Sequence, residues 1–291
     1  MSSSRVIGIT GASGFIGRHL VEHFAGHGWT VRAFQRSTEC PPLACVRRIE
    51  FHMPDRIPTE EFAGLDWLIH GAVQEYGAGH RDADLVNLAS AKTLLRIARA
   101  EGTRVIFLST LSAHDEAASH YGRTKLHMES LFDPDRDAVL RLGLVLGHSG
   151  GLFGRIVEAL RSARAVPLPD GGRQPVQILA IDDLIRVVNR VVDHSIGGRF
   201  DVAHPEVYRI RDLYEEIMAR TGANPLMVPV PLGVIGVMVR IAETLGVPCP
   251  VTSENVLGLK RMRVFDTSPT LATLGIQTSG LTESVRRLLA R

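Results

Sequence analysis

A tyrosine and a lysine stand four residues apart in Tyr121-Gly122-Arg123-Thr124-Lys125. At that spacing both lie on one face of a helix. A nearby ammonium favours the phenolate, so it is expected to lower the tyrosine pKa toward working pH. A phenol tuned in this way gives a proton to a carbonyl oxygen or takes one from an alcohol. Upstream, Arg104-Val105-Ile106-Phe107-Leu108 reads as a strand that ends in Ser109-Thr110-Leu111-Ser112. Hydroxyls at the carboxyl end of a central strand are placed to hydrogen-bond a substrate oxygen. The alternative is an exposed helix face and strand-end hydroxyls with no chemical role.

A second set of residues is suited to holding a phosphate. Arg5-Val6-Ile7-Gly8-Ile9-Thr10 reads as a buried strand, and Gly11-Ala12-Ser13-Gly14-Phe15-Ile16-Gly17 follows directly. A helix with apolar residues at Leu20, Val21 and Phe24 comes next. A glycine-rich turn between strand and helix seats a dinucleotide pyrophosphate on the helix N-terminus. Gly11 makes the tight turn, Gly14 lets the backbone approach the phosphates, and Gly17 lets the helix pack closely. The next strand, Val31-Arg32-Ala33-Phe34, ends in Gln35-Arg36 with no acid. A carboxylate there would repel a 2′-phosphate, whereas an arginine attracts one. Gln35 and Arg36 therefore favour NADP, with NAD as the alternative. Arg36 also reads as a solvated loop charge, and Arg18 either adds to the phosphate site or is a surface helix residue.

The elements that must position these residues alternate. Thr30–Phe34, Asp66–His70, Arg104–Ser109 and Ala138–Leu146 read as strands, and Ala83–Ala100 and Tyr121–Phe132 as helices. The expected fold class is α/β, a Rossmann-type doubly wound parallel sheet with a smaller C-terminal substrate lobe. The expected division is a dinucleotide-binding domain over 1–165, with 176–203 returning to the sheet. Residues 166–175 and 204–291 would form the smaller lobe. The chain has 291 residues, and 45% hydrophobic with 22% charged content is ordinary for a globular protein. A net charge of +2 gives no reason to invoke nucleic acid or an anionic membrane. Cys40, Cys45 and Cys249 form no metal spacing and no even disulfide set. Met1-Ser2-Ser3-Ser4-Arg5 runs into the first strand without a signal peptide, so a cytoplasmic location is expected. The apolar run from Pro225 to Val239 is too short for an integral membrane segment. It reads as a strand and a buried helix; the other readings are a greasy pocket wall or a surface helix touching lipid.

Together these motifs resemble the short-chain dehydrogenase/reductase superfamily, in its extended or atypical branch, which includes nucleotide-sugar epimerases and dehydratases. Thr10 to Gly17 is similar to that branch's opening motif, and Leu68-Ile69-His70-Gly71-Ala72 to its fourth strand. Arg141-Leu142-Gly143-Leu144-Val145-Leu146-Gly147 and Ile181-Asp182-Asp183-Leu184 resemble later landmarks. The resemblance implies that Tyr121 is the acid/base, that Lys125 holds the nicotinamide ribose, and that Asn87 supports Lys125. Thr110 best matches the hydroxyl member, with Ser109 or Ser112 as substitutes. Gly11, Ser13, Gly14, Phe15, Ile16, Gly17, Gly71 and Ala72 would line the cofactor.

The pattern also departs from that branch. Leu142 and His148 stand where nucleotide-sugar members carry prolines, and Val176 stands about where they carry a diphosphate-binding arginine. Arg173, Arg155 and Arg261 are the substitutes on offer. Gln174-Pro175-Val176, Val251 to Val256 and Leu274-Gly275-Ile276 resemble instead the group of the complex I accessory subunit. Two functions are thus expected. One is an NAD(P)-dependent oxidoreductase or epimerase acting on a carbonyl or secondary alcohol, of a sugar or sugar-nucleotide-like small molecule. The other is a non-catalytic NADPH-binding structural or sensing protein. A homodimer is a further implication of the resemblance. None of the twelve histidines has metal-ligand spacing. His70 reads as a packed residue, and His114 and His120 either face the substrate or are wet.

Overall fold

The computed structural model describes residues 5–37, 43–74, 82–148, 150–247, 249 and 251–290, so Cys40 lies outside the described residues. The chain opens with β1 (Val6–Thr10), α1 (Phe15–Gly26), β2 (Thr30–Gln35), β3 (Val46–Glu50), β4 (Trp67–His70) and α2 (Ala83–Ala100). It continues through β5 (Arg104–Thr110), α3 (His120–Glu129), β6 (Ala138–Leu142), β7 (Leu144–Leu146), α4 (Gly151–Ser162) and β8 (Ala165–Pro169). Next come β9 (Pro175–Val176), β10 (Ile178–Ala180), α5 (Ile181–His194), β11 (Gly198–Val202), β12 (Tyr208–Arg209) and α6 (Ile210–Thr221). The last elements are β13 (Leu226–Val230), α7 (Leu232–Thr244), α8 (Ser253–Lys260), α9 (Ser268–Leu274) and α10 (Leu281–Leu289).

Seven strands form the main sheet in the order β11-β6-β5-β4-β1-β2-β3. Every pairing in it is parallel. The expected Rossmann-type α/β fold is therefore present. Two apolar layers cover its faces. One includes Leu20 and Phe24 of α1 with Val187 and Val191 of α5. The other includes Leu94 and Ala98 of α2 with Met128 of α3. Both faces are buried, so the inner strands read as near-continuous apolar runs. Strand order reverses between β1 and β4, and the carboxyl ends of those strands flank the crevice where such sheets bind ligands.

Two elements differ from the sequence expectation. β3, Val46-Arg47-Arg48-Ile49-Glu50, was not expected; as the edge strand it pairs on one side only and so tolerates charge. The strand expected over 138–146 breaks at Gly143. Its amide bonds the Val202 carbonyl, and the next amide, of Leu144, bonds the Gln177 carbonyl. The chain thereby leaves the main sheet, and β7 pairs with β10. In the 176–203 stretch, β11 joins the main sheet beside β6, while β9 pairs with β12. Helix α7 is only half buried: Leu232, Ile235 and Val239 point inward, and Val234, Val237, Met238 and Ile241 are exposed. Among the described residues, no helix is long and apolar enough to cross a membrane.

Candidate active site

The corner after β1 is built around three glycines. Gly11 has φ +72°, and a Cβ there would lie 2.9 Å from the Ala72 amide nitrogen. A Cβ on Gly17 would lie 2.1 Å from the Gly11 carbonyl oxygen, so only glycine lets α1 start this close to the turn. A Cβ on Gly14 would meet only the Gly11 oxygen, at 3.1 Å. Gly14 precedes α1 and offers no side-chain cap, which leaves the positive helix end for an anion. Ser13 is exposed, and Phe15 and Ile16 are partly buried at the start of α1. The amides of Gly11 and Ala12 both bond the Phe34 carbonyl, tying the corner to the end of β2.

The Gly71 amide bonds the Thr10 carbonyl, and the Ala72 amide bonds the Thr10 hydroxyl at 3.2 Å. That hydroxyl also shares a 2.8 Å bond with His70 Nδ1. His70 is packed, stacked on Phe107, and burial, reinforced by Lys125, pushes it down to about 3. Gln35 is buried and its amide donates to the Ser37 carbonyl at 2.6 Å, while Arg36 stands exposed beyond it. Glycine cradle, uncapped helix end and acid-free β2 terminus all fit a nicotinamide dinucleotide.

Helix α3 is held against the end of β5. The Ser119 hydroxyl caps it by accepting from the Gly122 amide, and Glu254 of α8 accepts from the Tyr121 amide at 2.9 Å. Lys125 is buried, donates from Nζ to the Leu108 carbonyl at 2.7 Å, and lies 4.4 Å from the Phe107 ring centroid. Its Nζ is 5.8 Å from the Tyr121 ring centroid. The expected lowering of the tyrosine pKa does not appear. Burial pushes the Tyr121 phenol up to about 12 and the Lys125 ammonium down to about 7, the latter partly offset by Glu129. Both charged forms lose solvation here, and that cost outweighs their mutual attraction.

The hydroxyls separate into two environments. Ser109 is buried and donates to Glu129 at 2.5 Å. Glu129 also takes a forked pair of bonds from Arg141 and faces Arg199 at 3.4 Å. Together these side chains form an ionic network centred on buried Glu129. Thr110 accepts from the Ser112 amide at 3.2 Å, which leaves its hydroxyl proton to donate. Asn87 holds the loop after β4 by bonding both the amide and the carbonyl of Gln74. These bonds fasten the Gly71–Gln74 edge of the crevice, while Lys125 bonds the Leu108 carbonyl.

A cavity of about 460 Å³ begins at Thr110, Ser112 and Tyr121 and touches Phe15 and Ile16 of the cofactor corner. Much of its wall is aliphatic, with Leu144, Ile156, Val166, Leu213, Ile235 and Leu259, and Gln177, Tyr214, Glu254 and Asn255 line it too. Val176, buried, belongs to this lining, so the position of the missing arginine is part of an apolar wall. Arg155, Arg173 and Arg261 are exposed and do not line the cavity. Arg263 does, and it pairs with Asp115 at 2.8 Å.

His114 also lines the cavity and is buried, which overturns its reading as a wet residue. Burial, helped by Arg263, lowers its pKa, and its Nδ1 is without a partner among the described residues. Sequence reasoning missed Glu254. Nothing local ties it to Tyr121, 133 residues away.

A family model described as the NAD dependent epimerase/dehydratase family matches residues 7–203. A ceramide reductase of Caulobacter vibrioides is 32% identical over 124 residues, 41% of this chain and 39% of that protein. The match thus spans well under half the length of that relative. MoeE5, solved with UDP-glucuronic acid and NAD, is similar over 99% of this chain and 98% of its own, at 19% identity and a TM-score of 0.77. WbmG of Bordetella bronchiseptica, solved with NAD, covers 99% of this chain and 94% of its own, at 17% identity and a TM-score of 0.75. A UDP-N-acetylglucosamine 4-epimerase of Methanobrevibacter ruminantium covers 99% and 97%, at 13% identity and a TM-score of 0.77. At such identities the likeness is one of fold. With the family model running from the first strand to the end of β11, this chain belongs to the NAD dependent epimerase/dehydratase family.

Proposed function

We propose that the chain is an NAD(P)-dependent reductase for a carbonyl carried by a molecule with a long apolar portion. One observation carries the reading: the cavity that takes in the Thr110 and Tyr121 side chains is lined mainly by aliphatic side chains. Its volume of about 460 Å³ falls in the range of small-molecule sites. A bound nicotinamide dinucleotide supplies the hydride. Gly11, Ser13, Gly14, Phe15, Ile16 and Gly17 would receive its pyrophosphate half, with Gly71 and Ala72 on the facing edge. Gln35 and Arg36, with no acid beside them, favour the 2′-phosphate of NADP. Lys125 would hold the nicotinamide ribose.

Tyr121 would give its proton to the carbonyl oxygen as the alcohol forms. Burial keeps the phenol protonated at neutral pH, which suits the reducing direction. Thr110 would donate a hydrogen bond to the same oxygen and stabilise its developing charge. Ser109, committed to Glu129, has a structural part in this reading. A sugar diphosphate fits less well, because Val176 stands where a diphosphate-binding arginine would and Arg263, which lines the cavity, is paired with Asp115. The 32% identity to a ceramide reductase agrees with an apolar substrate.

The test follows NADPH and NADH oxidation over carbonyl compounds of increasing alkyl length, with UDP-sugars alongside and Tyr121→Phe as control. Each methylene buried in the cavity should raise kcat/KM about fourfold, the equivalent of about 0.8 kcal/mol, until the cavity is full. Tyr121→Phe should lose roughly a hundredfold or more in kcat. Equal turnover by the variant, or a rate indifferent to chain length, would overturn the proposal.

A further inference from the structure

Helix α7 carries two apolar faces. Leu232, Ile235 and Val239 pack against Val256 of α8, and Ile235 and Val256 also line the cavity. On the opposite side Val234, Val237, Met238, Ile241 and Leu245 are between 49% and 71% exposed. Their spacing of i, i+3, i+4, i+7 and i+11 makes one stripe along the helix and its first following residue. An ordered apolar stripe bare to water marks a docking surface.

The charges that line the cleft beside it have one sign. Arg240 and Lys260 share the small cleft next to Val237 between α7 and α8. Glu243 and Glu254, the carboxylates of these two helices, are anions that bond the Ser253 and Tyr121 amides, and neither lines that cleft. At the cleft the edge of the stripe is therefore lined by two cations and no carboxylate, although the whole chain is close to neutral at +2. A stripe of this length is about 17 Å long and roughly 10 Å wide, far below the ~800 Å² per partner that a stable protein pair buries. A bilayer needs no matching partner surface, and anionic headgroups complement the basic edge. Spanning is excluded, since α7 runs only from Leu232 to Thr244.

We propose that α7 lies in the headgroup interface of an anionic phospholipid bilayer. The stripe from Val234 to Leu245 enters the acyl boundary, and Arg240 and Lys260 meet the headgroups. The same helix forms a wall of the cavity, and Val264, a lining residue, is 53% exposed. An apolar-tailed molecule dissolved in the bilayer would thus reach the cavity beside the helix that docks. This last step extends the function proposed above; the docking itself does not depend on it.

The experiment is co-sedimentation of the full chain with extruded vesicles, without nucleotide or substrate. Pure phosphatidylcholine is compared with a phosphatidylcholine–phosphatidylglycerol mixture of roughly 7:3. Wild-type protein should partition onto the mixed vesicles. Val237→Glu with Ile241→Glu should weaken that partition by roughly tenfold or more. Arg240→Glu with Lys260→Glu should weaken it on the mixed vesicles and leave phosphatidylcholine binding unchanged. All four positions are exposed or border the surface cleft, and thermal unfolding of each variant checks its fold. If the first variant fails to fold, the charge variant decides. No partition by wild type, or partition unaffected by the substitutions, overturns the proposal. So does a dimer in sedimentation velocity that Val237→Glu with Ile241→Glu dissociates while vesicles bind nothing. Turnover is not read, so a failure here leaves the reductase reading standing, and the converse also holds.

Discussion

Lys125→Met should change how the stability of this protein responds to pH, by an amount that follows from the burial of the amine. Lys125 is 3% exposed, and its ammonium is pushed down to about 7 by desolvation. In the unfolded chain it titrates near ~10.4. Between these values the unfolded chain binds a proton that the folded chain has released. Stability therefore rises with pH across the window and falls back as pH drops through the folded pKa. A full proton difference is worth about 1.4 kcal/mol per pH unit, and integrating from about pH 7 to pH 9 gives about 2 kcal/mol. Methionine fills similar space without the titration. Guanidinium unfolding of both proteins at pH 7, 8 and 9, without nucleotide, measures the difference directly. Wild type should gain about 2 kcal/mol on the variant over that range. Tyrosine ionisation is common to both proteins and cancels. A difference that stays constant would mean an ordinary ammonium satisfied by Glu129, and would refute the reasoning from burial.

Three further outcomes are expected. Gly17→Ala drives a methyl group onto the Gly11 carbonyl, so unfolding should lose about 1–3 kcal/mol and NADPH titration by fluorescence should show weakened binding; wild-type behaviour in both refutes the corner geometry. Ser109→Ala should cost about 1 kcal/mol of stability by removing one of the bonds to Glu129 but keep turnover, whereas Thr110→Ala should keep stability and lower kcat roughly tenfold; the reverse pattern in paired unfolding and rate measurements contradicts the assignment of the two hydroxyls. Val176→Arg places an unpaired guanidinium in an aliphatic wall and should cost several kcal/mol, about 2 or more, with loss of turnover on long-tailed carbonyls; a stable variant that gains UDP-sugar turnover would sink the reading of the cavity.

The parallel sheet and its glycine corner were legible because their causes are local. A buried parallel strand is apolar along most of its length, as in Val6–Ile9 and Val105–Leu108, and the corner needs glycine where a Cβ would strike backbone. The helical spacing of Tyr121 and Lys125 likewise follows from the period of a helix. β3 was illegible because an edge strand with Arg47, Arg48 and Glu50 has no apolar run to announce it. The break at Gly143 was illegible because distant strands decide which carbonyl each amide meets.

Residue types and spacing by themselves determined the fold class, the dinucleotide corner and the presence of a phenol, an ammonium and several hydroxyls near one strand end. The tertiary structure decided which hydroxyl is committed and which can donate: Ser109 to Glu129, Thr110 to the cavity side. It also reversed the expected direction for Tyr121, brought Glu254 onto the same helix start, and closed an aliphatic cavity around Val176. The physical reason is that solvation and long-range contact belong to the assembled chain. A residue's charge cost and its partners depend on what the rest of the fold packs against it, and no local pattern records that.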